Sequence, residues 1–299
     1  MIVARTIAEA RAALRELPRP LGLVPTMGAL HAGHLSLVEA ARARCASIAA
    51  SVFVNPTQFG RDEDLSAYPR DEVRDLRLLE EAGVAVVFAP DADEMYPEGF
   101  ATLVHVGGAL TETLEGASRP SHFDGVAVIV AKLLGVTQPD VLLLGEKDAQ
   151  QLAVVRRMVR DLDLPVEVSG VPTLRDPDGL AMSSRNRYLT PAQRELAPGL
   201  GLALLAGAAA AATPGAKAEH VVSAASDALT PAFELDYLAV VDADSFVQTA
   251  ELGPRSLLVV AARLGSTRLI DNLSLAAPAA GEPLTTSSSS AYPAGDATA

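Results

Sequence analysis

An apolar run, Leu21-Gly-Leu-Val-Pro-Thr-Met-Gly28, leads directly into His31-Ala-Gly-His34 and then into an amphipathic stretch. This order, a buried strand entering a helix that carries two imidazoles at its start, restricts the fold more than any other feature of the chain. A strand of continuous apolar type needs cover on both faces, which a parallel sheet flanked by helices supplies. Two imidazoles three apart on a first helical turn share a face, and the free N–H groups and positive dipole end of that turn favour an anion beside them. Gly33 is expected to let a polyphosphate or an adenine ring approach the backbone, and Gly28 to let the chain bend between strand and helix. A His-x-x-His pair is equally compatible with a solvated cap or part of a metal site. The metal version needs a third ligand, and neither the single cysteine, Cys45, nor His105, His122 or His220 stands at ligand-like spacing. No metal site is expected from these histidines.

Strand and helix patterns keep alternating along the chain. Thr6-Ile-Ala-Glu9 has the spacing of a capping box and opens a helix that ends before Pro18. A strand over 21–25 and a helix to about Arg44 follow, then a buried strand over 47–54 with the loop Asn55-Pro-Thr-Gln-Phe-Gly60 at its carboxyl end. The periodicity predicts a helix over 70–82 closing on Gly83, a strand over 84–89, a helix over 125–134 and a strand over 140–144 that ends in Gly145-Glu-Lys-Asp148. A helix over 149–162 and a strand over 166–170 complete the series. The pattern is that of an α/β chain with a Rossmann-like, doubly wound, mostly parallel sheet, in which ligands bind beyond the carboxyl ends of the strands. The segments after Val24, Val54 and Leu144 converge there. From about Leu174 the pattern changes to a polar loop, two Ala-rich helical stretches (191–212 and 216–229) and strand-like runs at 233–241, 257–262 and 267–273, which read as a smaller α+β domain. The expected division is 1–173, 174–277, and a tail over 278–299 whose lack of bulk and periodicity predicts disorder.

Charge narrows the chemistry. With 24 basic and 37 acidic residues the formal charge is −13, which repels nucleic acid in the absence of a dense basic stripe, so small-molecule substrates are expected. The chain has only three lysines, Lys132, Lys147 and Lys217. An acidic protein that binds a polyphosphate must concentrate its few cations at the site, which gives weight to Lys147 and Arg185. The longest apolar run, 202–212, is short of a membrane span, no secretion-like segment begins the sequence, and one cysteine supports no disulfide framework; a cytoplasmic protein without membrane partners is expected.

Met182-Ser-Ser-Arg-Asn186 lies in the polar loop that opens the second domain. Its hydroxyls and guanidinium suit β- and γ-phosphates, and a loop that closes over them can withhold its contacts until the transition state. Alone it is equally a Ser/Asn-rich turn before a helix. Together with Pro25-Thr-Met-Gly28, His31-Ala-Gly-His34, Val54-Asn-Pro-Thr-Gln-Phe-Gly60 and Gly145-Glu-Lys-Asp-Ala-Gln-Gln151, in that order and spacing, it resembles the pantothenate synthetase (pantoate-beta-alanine ligase) family over about residues 1–275. The His-x-Gly-His and Met-Ser-Ser-Arg elements are similar to the two signatures of class I aminoacyl-tRNA synthetases and related nucleotidylyltransferases. The Asn-Pro-Thr-Gln-Phe and Gly-Glu-Lys-Asp-x-Gln-Gln segments make the resemblance specific. Ala32 departs from the Glu often found there, at the most variable of the four positions.

The resemblance implies ATP-dependent joining of pantoate to β-alanine through a pantoyl adenylate, with release of pyrophosphate and AMP. By the same resemblance, Thr26, Met27, Gly28, His31, Gly33 and His34 form the first ATP segment, with His34 as proton donor. Lys147 neutralises transferring phosphate, Gly145 and Asp148 hold the ribose next to Glu146, and Leu174 contributes through its backbone. Met182 flanks the nucleotide while Ser183, Ser184 and Arg185 close over the phosphates. Gln58 and Gln151, with Asn55 and Arg119, hold pantoate and β-alanine, and His122 is a further candidate. Mg²⁺ is expected to arrive with ATP, since no dedicated cage is visible; Asp71 and Asp75 read as a solvated helix face or as assisting magnesium through water. The resemblance also implies a homodimer. The competing reading is another nucleotidylyltransferase that stops at nucleotidyl transfer.

Overall fold

The computed structural model describes residues 1–60 and 65–276; the tail expected over 278–299 lies outside them. Two sheets organise the chain. The first contains β1 (Ile2–Ala4), β2 (Leu21–Thr26), β3 (Ser47–Val52), β4 (Val86–Phe88), β5 (Val141–Gly145) and β6 (Glu167–Val171), in the order β1-β4-β3-β2-β5-β6 with every pairing parallel. Its helices are α1 (Ile7–Arg15), α2 (Ala32–Arg42), α3 (Glu72–Glu81), the single turns α4 (Ala92–Met95), α5 (Ala109–Glu112) and α6 (Glu115–Ser118), α7 (His122–Thr137) and α8 (Ala149–Asp161). The second sheet is antiparallel, β7 (Glu234–Asp242), β8 (Ser256–Leu264) and β9 (Thr267–Ser274), and is accompanied by α9 (Pro191–Leu196), α10 (Gly199–Ala211) and α11 (Ala218–Ala228).

Period-two alternation divides the parallel strands between two cores. Leu21, Leu23, Leu142 and Leu144 face the side packed by α1, α7 and α8, while Val24, Ala50, Val141 and Leu143 face α2 and α3. Both faces are therefore covered, which is why the strands are apolar throughout. Leu142 and Leu143 point to opposite cores and are both fully buried, each stabilising the fold by about 1.5–3 kcal/mol. The small sheet has its own core of Leu200, Leu204, Val221, Phe233, Leu258 and Val260.

Besides the single turns α4, α5 and α6, which the periodicity did not predict, the structure departs from the sequence expectation in three places. β1 is a short edge strand whose Ile2 and Val3 are exposed, leaving no alternation to read. The helix expected from Gly125 begins at His122, after Ser121 in the left-handed conformation. The helix expected over 191–212 is two, because Pro198 has no N–H for the ladder and α10 restarts beyond it.

Strand order locates the crevice. From the end of β2 the chain turns through α2 to β3 on one side, and from the end of β5 it turns through α8 to β6 on the other. The connections diverge between adjacent β2 and β5, which opens a cleft at their carboxyl ends.

Candidate active site

In the loop from β2 to α2 the four successive backbone N–H groups of Gly28, Ala29, Leu30 and His31 all find side-chain acceptors. Thr26 Oγ1 donates to Ser51 O at 2.7 Å and accepts from Gly28 N at 3.2 Å. Gly28 has φ +79° and a Cβ there would come within 3.0 Å of the Asp75 carboxylate, so this turn requires glycine twice over. The next residue, Ala29, is held at φ +52°, a region non-glycine residues seldom enter. What holds it is Asp75 on α3, whose carboxylate accepts from Ala29 N at 2.7 Å and Leu30 N at 2.8 Å, while Arg74 donates to Leu30 O at 2.9 Å. Asp75 is only 1% exposed. The reading of Asp75 as a solvated face or a magnesium helper is thus corrected: its oxygens are spent on the backbone behind the site. Asp71 caps α3 by accepting from Arg74 N.

His31 and His34 cap α2 reciprocally. His31 Nδ1 accepts from Gly33 N at 3.1 Å and His34 Nδ1 accepts from His31 N at 3.3 Å, with the ring centroids 4.1 Å apart. An Nδ1 that accepts forces the neutral ring to carry its proton on Nε2. Burial, the adjacent His34 and the Lys147 and Arg187 cations push His31 down to about 3, against a smaller opposing pull from Asp148. Burial and Lys147 push His34 down to about 4. Both imidazoles are neutral N–H donors in the ligand-free protein at neutral pH. The unfolded chain binds protons below pH 6.5 that these folded imidazoles refuse until about pH 4, so stability falls as pH drops through that window. The expected slope is up to about 1.4 kcal/mol per pH unit for each imidazole. Denaturant midpoints of wild type and His34→Asn at pH 7, 6 and 5 check this, the variant losing the share contributed by His34.

Gly33, on the cavity wall, has a further reason to be glycine. The space its Cβ would fill is taken by the His31 ring at 2.9 Å, with Met182 Cβ next at 3.5 Å. It is small so that His31 can fold back over the helix start and the Met182 segment can pack on it.

A cavity of about 230 Å³ lies over this helix start. Its wall contains Thr26, Met27, His31, Gly33 and His34 from the first segment, Asn55 and Gln58 from the second, Gly145, Lys147, Asp148 and Gln151 from the third, and Leu174 with Met182 to Arg185 from the fourth. Segments far apart in the chain thus meet on one wall. Two of the expected residues do not join it. Gly28 lies behind the wall, and the Glu146 side chain packs beside Gly170 on β6, where a Cβ would meet its Oε1 at 2.9 Å. The turn after β5 points Lys147 and Asp148 inward and sends the Glu146 side chain toward β6.

Gln58 sits on the short turn Pro56–Gln58 and is oriented by a chain of hydrogen bonds. Tyr96 OH and Thr57 Oγ1 donate to Asn55 Oδ1 at 2.7 and 2.9 Å, and Asn55 Nδ2 donates to Gln58 Oε1 and Gly125 O, both at 3.1 Å. Both ends of the Asn55 amide are engaged in the ligand-free protein, so Asn55, itself on the cavity wall, also braces Gln58. Its effect is to fix Gln58 Oε1 and leave Nε2 donating to the weak acceptor Met27 Sδ at 3.0 Å. Backbone bracing comes from His122, whose Nδ1–H donates to Gln58 O at 2.8 Å while Nε2 accepts from Arg119 at 3.1 Å. Gly125 allows the turn to rest on α7, since a Cβ would fall 2.3 Å from Thr57 O. Gly125→Ala is expected to lower stability by about 1–3 kcal/mol, read by urea denaturation.

The fourth segment forms a short turn, Ser184–Tyr188, capped by Ser183 Oγ accepting from Arg185 N. Ser184 Oγ meets Tyr68 OH at 3.1 Å, and Tyr188 OH donates to Ala67 O. A second, larger cleft of about 770 Å³ between the two sheets shares Arg119, Lys147, Asp148, Ser183 and Arg185 with the first. Among the described residues no group of three His, Cys, Asp or Glu side chains is placed to hold a metal, and no helix is long and apolar enough to cross a membrane. Arg74, Tyr96 and Tyr68 were not singled out by sequence reasoning, and Asp75 was raised only as a solvated face or a magnesium helper. Only Asp75 carried a local signal: it lies four residues before Leu79, on the apolar face of its helix.

The sequence profile of the family described as pantoate-beta-alanine ligase matches residues 2–274. A pantothenate synthetase of Rhizorhabdus wittichii is 50% identical over 279 residues, 92% of this chain and 99% of that protein. One of Thermus thermophilus is 54% identical over 271 residues, 90% of this chain and 97% of that protein. A crystal structure of the pantothenate synthetase from Thermus thermophilus superposes with a TM-score of 0.89 at 52% identity, covering 93% of this chain and 100% of that one. The Francisella tularensis pantoate-beta-alanine ligase, complexed with beta-gamma ATP and beta-alanine, gives 0.77 at 32% identity over 92% of this chain and 98% of that one. With the whole of both sheets and every segment of the cavity wall inside these matches, the chain belongs to the pantoate-beta-alanine ligase family.

Proposed function

We infer that this enzyme joins pantoate to β-alanine in two steps at the cleft between β2 and β5. In the first, a pantoate carboxylate oxygen attacks the α-phosphorus of ATP, forming pantoyl adenylate and releasing pyrophosphate. In the second, the unprotonated β-alanine amine attacks the acyl carbon, the amine gives up a proton, and AMP leaves with the former carboxylate oxygen. The observation that carries this reading is the shared wall: neutral imidazole donors, a lysine, a Ser-Ser-Arg turn and two glutamines line one cavity. A carboxylate becomes an acyl donor only when its oxide is replaced by a better leaving group, and in-line displacement at phosphorus needs positioning and charge stabilisation rather than covalent help.

His31 and His34 present Nε2–H groups to the phosphates. Lys147 neutralises charge on the transferring group, and Ser183, Ser184 and Arg185 hold the β- and γ-phosphates. Gly145 and Asp148 take the ribose, with Thr26, Met27, Leu174 and Met182 along the nucleotide. Gln58 directs its amide N–H at the pantoate carboxylate, and Gln151 and Arg119 complete that end. A neutral amide orients the carboxylate without immobilising its attacking oxygen in a salt bridge. Mg²⁺ enters as part of the ATP substrate, bound to its phosphates. The unit from Leu174 onward, carrying the Met182 to Arg185 turn, acts as a lid on the unit over 1–173. The active form is taken as a cytoplasmic homodimer, and sedimentation equilibrium tests the dimer.

The deciding assay follows pyrophosphate, AMP and pantothenate from ATP and pantoate, with and without β-alanine. Pyrophosphate from ATP and pantoate, with AMP and equimolar pantothenate appearing only when β-alanine is added, is the expected result. Pyrophosphate without amide product would leave a nucleotidyl transfer to a different acceptor.

A further inference from the structure

Asn272, on β9 of the small sheet, lies 125 residues from Lys147, yet its amide nitrogen donates to the Glu146 carbonyl at 2.9 Å and to the Lys147 carbonyl at 3.0 Å. One NH₂ group with two hydrogens thereby satisfies two successive carbonyls of the turn Glu146–Asp148, which carries the lysine into the cavity. Asp271, next to it, is 4% exposed and receives Arg175 in a two-pronged ion pair at 2.6 and 2.8 Å. Asp271 Oδ1 also accepts from Asn272 N at 2.8 Å, and Arg175 reaches Asn272 O at 3.3 Å and Gly179 O at 3.1 Å. Arg175 bridges to Ala181 across the loop that returns the chain to Met182. Two neighbouring residues of one strand therefore hold the turn bearing Lys147 and the root of the Met182 to Arg185 segment at the same time. Both cationic walls of the cavity are referenced to a single rigid element.

We propose that Asn272 is a positioning residue for adenylyl transfer, setting the Lys147 turn in register with the Met182 to Arg185 segment. The proposal rests on the reading that Lys147 faces the transferring phosphate. The in-line displacement depends on several donors being correct together, and a shift of about 1 Å in one of them costs up to about 100-fold. Aminolysis of the finished adenylate transfers no phosphate and depends less on this register. Loss of Asn272 is therefore felt in one half-reaction and not in the other, a division that general loosening of the fold does not produce.

The test compares wild type, Asn272→Ala and Asn272→Ser as full-length proteins, each assayed well below its own melting midpoint. Single-turnover pyrophosphate release reports the first half-reaction, and pantothenate formation from supplied pantoyl adenylate and β-alanine reports the second. Asn272→Ala is expected to slow pyrophosphate release about tenfold and raise the KM for ATP, while aminolysis changes less than about twofold. Asn272→Ser keeps one donor and is expected to fall between the two, and it stands in as the test if the alanine variant does not fold. Unchanged rates in both half-reactions, or an equal fall in both, would overturn the proposal. Absence of pantothenate formation by the wild type would instead overturn the functional reading itself.

Discussion

Replacing His34 by alanine is expected to slow pantoyl adenylate formation by about 100-fold or more, the range seen when a single pre-aimed donor is removed from a site of developing charge. His34 Nδ1 accepts from the His31 backbone, so its proton is on Nε2, and burial with the Lys147 cation holds the ring well below the ordinary imidazole range at about 4. The ring therefore meets the phosphates as a neutral donor already in position, costing no reorganisation as charge shifts toward the leaving pyrophosphate. Two results test this account separately. Single-turnover pyrophosphate release should collapse in His34→Ala and be partly restored in His34→Asn, whose amide can both accept from His31 N and donate forward. In the wild type the same rate should show no loss between pH 6.5 and 8 through deprotonation of this residue, because there is no imidazolium to lose. A near-normal alanine variant would remove His34 from the chemistry.

Asp75→Asn is expected to be nearly as damaging without touching a ligand. The carboxylate offers an oxygen to each of two backbone donors, Ala29 N and Leu30 N, in a site that is 1% exposed. An amide offers only one oxygen, so its NH₂ must oppose the second donor, leaving a buried N–H unsatisfied at a cost of about 1–3 kcal/mol. The two bonds also hold Gly28 and Ala29 at positive φ, the bend that aims Met27 and His31 at the cavity. Loss of stability in urea, together with a fall in pyrophosphate release that persists under conditions where the variant is fully folded, is the expected outcome. A stability change alone would mean that the bend is maintained by other contacts.

The two substitutions differ in how visible their targets are in the sequence. His34 is announced by its neighbours, because an apolar strand followed by His-x-Gly-His at a helix start is a pattern contained within about fifteen residues. The same locality makes the capping box of α1, the four inner parallel strands and the three antiparallel strands readable, since each is written in residues that are close in the chain. Gln58 and Gln151 were also legible, through segments specific to one family. Asn55 was marked by its segment alone, and only the structure shows that its amide also orients Gln58. The Glu146 side chain turns away from the cavity because adjacent residues of a tight turn point in different directions, and no local pattern says which side chain enters it.

Period-two and period-3.6 patterning with turn chemistry determined the class of fold, the crevice at the strand ends and the three chain segments after Val24, Val54 and Leu144 that reach it, because burial and backbone hydrogen bonding act over a few residues at a time. The fourth segment, Met182 to Arg185, drew its weight from the family resemblance. Only the tertiary structure decided how those segments are held. Asp75 reaches 45 and 46 residues back to the Ala29–Leu30 backbone, and Asn272 reaches 125 and 126 residues back to the turn after β5. Such bonds link residue types that are ordinary in their own surroundings. A carboxylate on a charged helix and an amide on a strand become specific only when packing brings a buried, unsatisfied backbone group within hydrogen-bonding distance.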